Sequence, residues 1–182
     1  MTIVDNIADY SNFSETQVVR KTVTTSSGGV VAAQHRVAAV AGAAILAAGG
    51  NAVDAAITTS FTIGVAEPWM SGPGGGGAMI VYKANTDETS VIDFNMRSPS
   101  GLDPADFPLT NGIADDLFPW VRVVEDRNLR GATAIAVPGL VDGMATAHEK
   151  HASMQWSELL QPAITLAEAG PRVDWYTSLM TV

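Results

Sequence analysis

The sequence contains no cysteine, and this absence excludes disulfide bonds, zinc–thiolate sites and a cysteine nucleophile together. Basic residues are also few, with 10 Lys and Arg against 19 Asp and Glu, which gives a formal net charge of -9 at pH 7. A surface with that charge repels phosphate groups. Nucleic acids and anionic membranes are therefore not expected as partners.

Long hydrophobic runs are missing as well. Two alanine-rich apolar stretches, 37–48 and 53–65, are each too short to span a bilayer, and Gly49-Gly50-Asn51 separates them. The first 25 residues contain no basic cluster followed by an apolar core, so the sequence predicts no secretory signal, and we expect a cytoplasmic location. Hydrophobic residues make up 47% of the 182 residues, which is sufficient for one domain with a buried core.

Apolar periodicity predicts a domain that mixes helices with strands. Residues 1–28 show no period and are expected to form an irregular N-terminal arm, so that the domain covers residues 29–182. We expect a short buried strand at 30–33, a hairpin at 78–82 and 90–94, and an extended excursion at 98–130. Helices are expected at 36–48, from 52 until Pro68 ends the helix, at 140–151, at 156–170 and from 175 onwards.

The run Gly74-Gly75-Gly76-Gly77 could cradle a phosphate, because exposed backbone N–H groups in a glycine loop bind anions. A phosphate loop requires a helix directly after it, whereas here a predicted strand follows and begins with Ala78 and Met79. The alternative, which we prefer, is that the glycines let a strand pass close to neighbouring layers.

No catalytic or metal-binding residue stands out from the pattern alone. His148 and His151 lie three residues apart and could share a metal, but no third ligand accompanies them. A solvated helix end that carries cations is the better interpretation. Hydroxyl groups are plentiful, yet the strained G-x-S-x-G turn of a serine hydrolase is absent.

Six segments, in order, resemble the large subunit of the γ-glutamyltransferase family. The most specific is Gly49-Gly50-Asn51-Ala52-Val53-Asp54-Ala55 together with the glycine loop that follows Glu67-Pro68. The others are Val30 to His35, Ile92-Asp93-Phe94, Val137 to Gly143 and Trp156 to Gly170. The resemblance covers nearly everything from Gly29 onwards.

This resemblance implies an α+β, N-terminal-nucleophile hydrolase-like fold, a four-layer αββα sandwich of which the chain holds only a part. It implies cleavage or transfer of γ-glutamyl groups from amides such as glutathione, through an ester on a threonine whose own α-amine serves as base. No cofactor is implied. That threonine lies outside these residues, so no catalytic residue is expected in the chain, which alone should be inactive. The implied partners are a small-molecule γ-glutamyl substrate, the remainder of the large subunit and the small subunit; a homo-oligomer is also possible.

One position departs from the family pattern. After Asp93-Phe94 the family typically places an arginine that binds the α-carboxylate of the glutamyl group, whereas this chain has Asn95, with Arg97 two residues later. In a strand, Arg97 would share the face of Asn95, about 6.6 Å further along. Asn95 and Arg97 are therefore the candidate substrate-binding residues.

Three alternatives stay open. Arg97 can be an ordinary surface arginine, the chain can belong to a non-catalytic structural or binding relative, or the enzyme can be a cephalosporin-acylase-like amidohydrolase whose substrate lacks the glutamyl carboxylate arrangement.

Overall fold

The computed structural model describes residues 23–114 and 119–181. Residues 31–182 form one compact unit, and the residues up to Val30 belong to another. Most of the expected N-terminal arm lies outside the described residues, and its boundary at residue 28 stays a prediction. Residues 30–33 do not form the predicted strand but are irregular, because they find no ladder partner among the residues described.

Two helices form the first part of the larger unit, α1 (Arg36–Ala47) and α2 (Ala52–Ala66). Helix α1 ends before Gly49, whose φ of 96° is a conformation that glycine adopts without strain. Asn51 then caps α2 in a capping box, in which its side chain accepts from the N–H of Asp54 and Asp54 accepts from the N–H of Asn51. The predicted helices, stop and cap are confirmed.

A hairpin follows the glycine loop, as predicted. Strand β1 (Ala78–Lys83) pairs antiparallel with β2 (Glu88–Asp93), with Ala78 opposite Asp93 and Lys83 opposite Glu88. Its inner face contributes Met79, Val81 and Ile92 to the core. Its outer face leaves three large apolar side chains exposed: Ile80, Tyr82 and Val91.

The segment predicted as an extended excursion contains a second, shorter antiparallel pair. Strand β3 (Leu109–Ile113) pairs with β4 (Val121–Val123) across a register shift, and single 3₁₀ turns lie at Pro104–Asp106, Val124–Asp126 and Ala132–Ala134. The chain then returns to the hairpin through an isolated bridge between Arg97 and Val137.

Three further helices complete the unit: α3 (Leu140–His151), α4 (Trp156–Ala169) and α5 (Trp175–Met180). Helix α2 packs against α1, α3 and α4, and α3 packs against β2. Ile57 and Leu159 are completely buried between these elements. The chain thus combines helices with antiparallel sheet, which agrees with the α+β prediction. Within the described part, no helix has the length and apolarity needed to cross a bilayer.

Candidate functional site

The candidate site lies where β2 ends, and its position depends on Phe94. This residue extends the hairpin ladder by one step, because Phe94 donates to the carbonyl of Gly77 at 2.9 Å and Gly77 donates back at 3.2 Å. Its ring is buried in the core cluster. The chain that leaves Phe94 is therefore held on a rigid element.

Glycines surround Phe94 closely. A Cβ on Gly143 would overlap the Phe94 ring, and a Cβ on Gly139 would overlap the Phe94 carbonyl group. On the loop side, a Cβ on Gly76 would lie 2.6 Å from the backbone nitrogen of Met96. No larger residue fits these places unless the backbone shifts.

The glycine loop also caps helix α3. The carbonyl oxygen of Gly75 accepts hydrogen bonds from the N–H groups of Gly139 and Leu140, each at 3.1 Å, so the loop presents an acceptor to the helix N-terminus. A phosphate cradle needs backbone N–H donors that face the anion, whereas this loop presents a carbonyl acceptor. The predicted role of the glycines in close packing is confirmed.

A polar cleft of about 300 Å³ opens next to Phe94 and contains both predicted substrate-binding residues. Its charged and amide side chains are Asp93, Asn95, Arg97 and Asp142, and residues 137–139 form its floor. The structure thus brings Asn95 and Arg97 together. The expectation that Asn95 and Arg97 share one face of a strand is wrong, because β2 ends at Asp93 and neither residue lies in a regular strand.

Asn95 is occupied by an interaction within its own turn. Its backbone N–H and its side-chain Nδ2 both donate to Oδ1 of Asp93, at 3.1 and 2.8 Å. These two bonds, together with the positive charge of Arg97, lower the pKa of Asp93 below its ordinary value and outweigh the opposing effect of burial. Asp93 is therefore ionised at neutral pH.

Arg97 is fixed through its backbone, whereas its guanidinium interacts with Asp93 only through its charge. Its N–H donates to the carbonyl of Val137 at 3.1 Å, and its carbonyl accepts from the N–H of Val137 at 2.8 Å. Among residues 23–114 and 119–181, its guanidinium makes no hydrogen bond or ion pair. A positioned but unpaired guanidinium can bind a carboxylate through two parallel hydrogen bonds.

A second cleft, of about 310 Å³, shares Arg97 as a wall and is mainly apolar. Sequence reasoning missed both this cleft and Asp142. Asp142 reads in the sequence as an ordinary acidic residue in the first turn of a helix, and the cleft forms only when residues 96–107 and 133–136 come together. No local signal identifies either feature.

The two histidines of α3 have separate contacts. Nε2 of His148 lies 2.9 Å from the carbonyl oxygen of Met154, and Nε2 of His151 lies 3.2 Å from the hydroxyl of Ser90. The last turn of α3 carries the predicted cations, and Lys150 is exposed, but both histidine side chains are half-buried. In the described ranges, no three His, Asp or Glu side chains are grouped so that they could hold a metal ion.

Comparison with known proteins shows a consistent pattern. A family profile described as Gamma-glutamyltranspeptidase matches residues 38–181. The glutathione hydrolase proenzyme of Bacillus subtilis (strain 168) is 41% identical over 125 residues, which are 69% of this chain and 20% of that protein. This chain thus spans about a fifth of the length of that relative.

Two solved structures are similar in fold. The gamma-glutamyltranspeptidase from Pseudomonas nitroreducens, complexed with L-DON, superimposes with a TM-score of 0.71 and 36% identity over 86% of this chain and 43% of its own. The cephalosporin acylase from Bacillus halodurans gives a TM-score of 0.72 and 26% identity over 90% of this chain and 28% of its own.

Proposed function

Because this chain belongs to the gamma-glutamyltranspeptidase family, we propose that it is part of an enzyme that cleaves or transfers γ-glutamyl groups from amides such as glutathione. The proposed reaction passes through an acyl ester on a threonine that lies outside these residues, with the α-amine of that threonine as base. It requires no cofactor. The contribution of this chain is one wall of the acyl-binding site.

The unpaired guanidinium of Arg97 is the observation that supports this role. The proposed substrate ends in an α-carboxylate and an α-ammonium group. Arg97 offers the complementary cation, and the carboxylates of Asp93 and Asp142 give the same cleft the negative charge that suits an ammonium group. Asn95 is proposed to act indirectly, by holding Asp93.

The exposed outer face of the hairpin supports a further part of the proposal. Ile80 is 73% exposed and Val91 is 64% exposed, and a contiguous apolar surface of this kind is usually covered in the assembled protein. We propose that the hairpin belongs to one sheet of a four-layer αββα sandwich. Its outer face would pack against the remainder of the large subunit and the small subunit.

A cephalosporin-acylase-like activity is the second candidate. It is favoured by Asn95, which stands where the family arginine is expected and whose amide is bound to Asp93, and by the similarity to the Bacillus halodurans acylase. Such an enzyme would accept an acyl group that has a terminal carboxylate but no α-amine.

The test uses the full-length protein that carries this chain. Arg97→Ala should lower kcat/KM for glutathione by an amount equivalent to about 2–4 kcal/mol of transition-state stabilisation, because the desolvated substrate carboxylate would lose the guanidinium that pairs with it. Arg97→Lys should recover little of that loss. Arg122→Ala is the matched control, since Arg122 is exposed and lines neither cleft. An Arg97→Ala effect within about twofold, well under 1 kcal/mol, would show that Arg97 does not bind substrate.

Two substrates distinguish the two candidate activities. γ-Glutamyl-p-nitroanilide and glutaryl-p-nitroanilide differ only by the α-amine, so a γ-glutamyl enzyme should prefer the first and an acylase the second. If the correctly folded full-length protein turns over neither compound nor glutathione, the chain belongs to a non-catalytic relative.

A further inference from the structure

The apolar cleft beside Arg97 has no role in the function proposed above. We propose that it binds the hydrophobic part of a carboxylate ligand whose anionic end is held by Arg97. The ligand class is an unbranched aliphatic carboxylate of about four to six carbons. This inference rests on the anion-binding role proposed for Arg97.

The composition of the cleft indicates this class of ligand. Its apolar lining includes Met96, Leu102, Phe107 and Ile135. Among the described residues, Arg97 is the one charged residue that lines it, and the remaining polar groups are neutral. A volume of about 310 Å³ lies at the lower end of the range for small-molecule sites, about 300–1,000 Å³.

The apolar cleft and the polar cleft differ in the charged residues that line them. In the polar cleft the carboxylates of Asp93 and Asp142 also line the wall, so an anion there meets both attraction and repulsion. In the apolar cleft an anion meets the guanidinium without an opposing carboxylate among the lining residues. A ligand that is anionic at one end and apolar at the other matches this arrangement, whereas a cation or a zwitterion does not.

The walls of the cleft are connected to one another before any ligand arrives. Arg127 links them, because its guanidinium donates to the carbonyl of Asp106 at 3.3 Å and its own carbonyl accepts from the hydroxyl of Thr133 at 2.8 Å. The bridge between Arg97 and Val137 also joins the two segments, because Arg97 lines the cleft and Val137 follows its last lining residue, Ala136. Little ordering would be needed on binding, which favours a preformed site.

The experiment is a titration of the full-length protein that carries this chain, followed by ¹H–¹⁵N NMR at constant pH and ionic strength, with acetate, butyrate, hexanoate and neutral hexanamide. Because each fully buried CH₂ strengthens binding by up to about fourfold, we expect the affinity to rise about two- to fourfold per CH₂ from acetate to hexanoate. Hexanamide should bind at least about tenfold more weakly than hexanoate, since it lacks the charge that pairs with Arg97.

Two variants separate the contribution of the aliphatic chain to binding from the contribution of the carboxylate charge. Ile135→Asn should flatten the dependence on chain length while leaving acetate binding unchanged, because Ile135 is 65% exposed and lines only the apolar cleft. Arg97→Gln should weaken every carboxylate to a similar degree. Ile113→Asn, the same change at a residue that is 57% exposed and lines neither cleft, is the matched control and should change nothing.

The outcomes separate this inference from the proposed function. If hexanoate binds no better than acetate, or if Ile135→Asn leaves the chain-length dependence intact, the apolar cleft is not the site and the inference is wrong, whatever glutathione does. If the carboxylate series behaves as expected while Arg97→Ala leaves turnover of glutathione unchanged in the full-length protein, the inference stands and the role proposed for Arg97 in binding the γ-glutamyl substrate fails. If no carboxylate responds to Arg97→Gln, the inference is wrong, and the turnover of glutathione by Arg97→Ala decides separately whether Arg97 binds the γ-glutamyl substrate.

Discussion

Replacement of Asp54 by alanine is expected to lower the free energy of unfolding by about 3–5 kcal/mol. The side chain is completely buried. Its two oxygens accept hydrogen bonds from the N–H of Asn51 at 2.8 Å, the N–H of Ser153 at 3.0 Å, the N–H of Met154 at 3.2 Å and the hydroxyl of Ser153. Asp54 thus connects the start of α2 to the turn between α3 and α4.

The magnitude follows from these contacts. Loss of the capping-box contact costs about 1 kcal/mol, and hydrogen bonds to a charged group contribute about 1.5–3 kcal/mol each. These hydrogen bonds share one carboxylate, so their contributions are not additive. The total loss of unfolding free energy should fall near the cost of breaking a buried charged interaction, about 3–5 kcal/mol. Asp54→Asn keeps one acceptor oxygen but turns an NH₂ group towards N–H donors, and should cost about 2–3 kcal/mol.

The contribution of Asp54 should also depend on pH. Burial alone raises its pKa, but the hydrogen bonds from Ser153, Asn51 and Met154 together outweigh burial and lower the pKa below 3.8. A folded-state pKa below the unfolded value means that the stabilisation is complete above about pH 4 and is lost as the pH falls further.

Urea denaturation followed by tryptophan fluorescence measures both effects. The wild type should lose stability relative to Asp54→Asn as the pH falls below about 4, and exposed Glu149→Gln serves as the control with no change at pH 7. A loss below about 1 kcal/mol for Asp54→Ala at pH 7 would refute the reasoning, because a buried carboxylate with four donors cannot be that weak a contributor.

Three further changes have definite expected outcomes. Gly143→Ala should destabilise the chain by about 1–3 kcal/mol, because the new methyl group overlaps the ring of Phe94. Phe94→Leu in the same chain should restore part of that loss, and additive losses in urea denaturation would contradict the contact. Burial, with the nearby charges of Lys83 and Lys150, lowers the pKa of His151 below 6.5, and its Nδ1 is buried without a partner in the described part of the chain. The folded state therefore resists protonation, so stability should decline as the pH falls below about 6.5, and His151→Gln should remove this decline. An unchanged pH profile for His151→Gln would exclude this residue as the cause. In the full-length protein, Asn95→Arg should raise kcat/KM for γ-glutamyl-p-nitroanilide relative to a neutral amide, and an equal change for both would show that position 95 does not face the carboxylate.

Local signals were sufficient for the helices and for the hairpin. Asn51 and Asp54 form a capping signal that spans four residues, and Gly49 marks the end of the preceding helix, so these boundaries depend on nothing distant. The strands of the hairpin are adjacent in sequence and alternate in burial. Helix α3 begins directly after Pro138-Gly139, as expected.

Long-range pairing explains what the sequence did not reveal. Strands β3 and β4 pair across an irregular register, and a run such as 30–33 becomes a strand only where a partner is available. At the site, the resemblance identified Asn95 and Arg97, and their roles stay predictions. Asp142 reaches the same cleft because α3 packs on the end of β2, a contact that no short pattern records.

The bridge between Arg97 and Val137 has a consequence for how this architecture can vary. Its two backbone hydrogen bonds close a loop made of residues 98–136, and the entropic cost of closing a loop rises by only about 0.6 kcal/mol for each doubling of its length. The closure entropy of the loop therefore changes little when the loop is lengthened or shortened, whereas the packing around Phe94 tolerates almost no change. Arg97 lies between the loop 98–136 and the packed residues around Phe94, so its surroundings combine a segment of variable length with one that tolerates little change. Under the proposed function, a loop grafted from a relative between positions 97 and 137 is expected to change the acyl preference while the packing around Phe94 is retained.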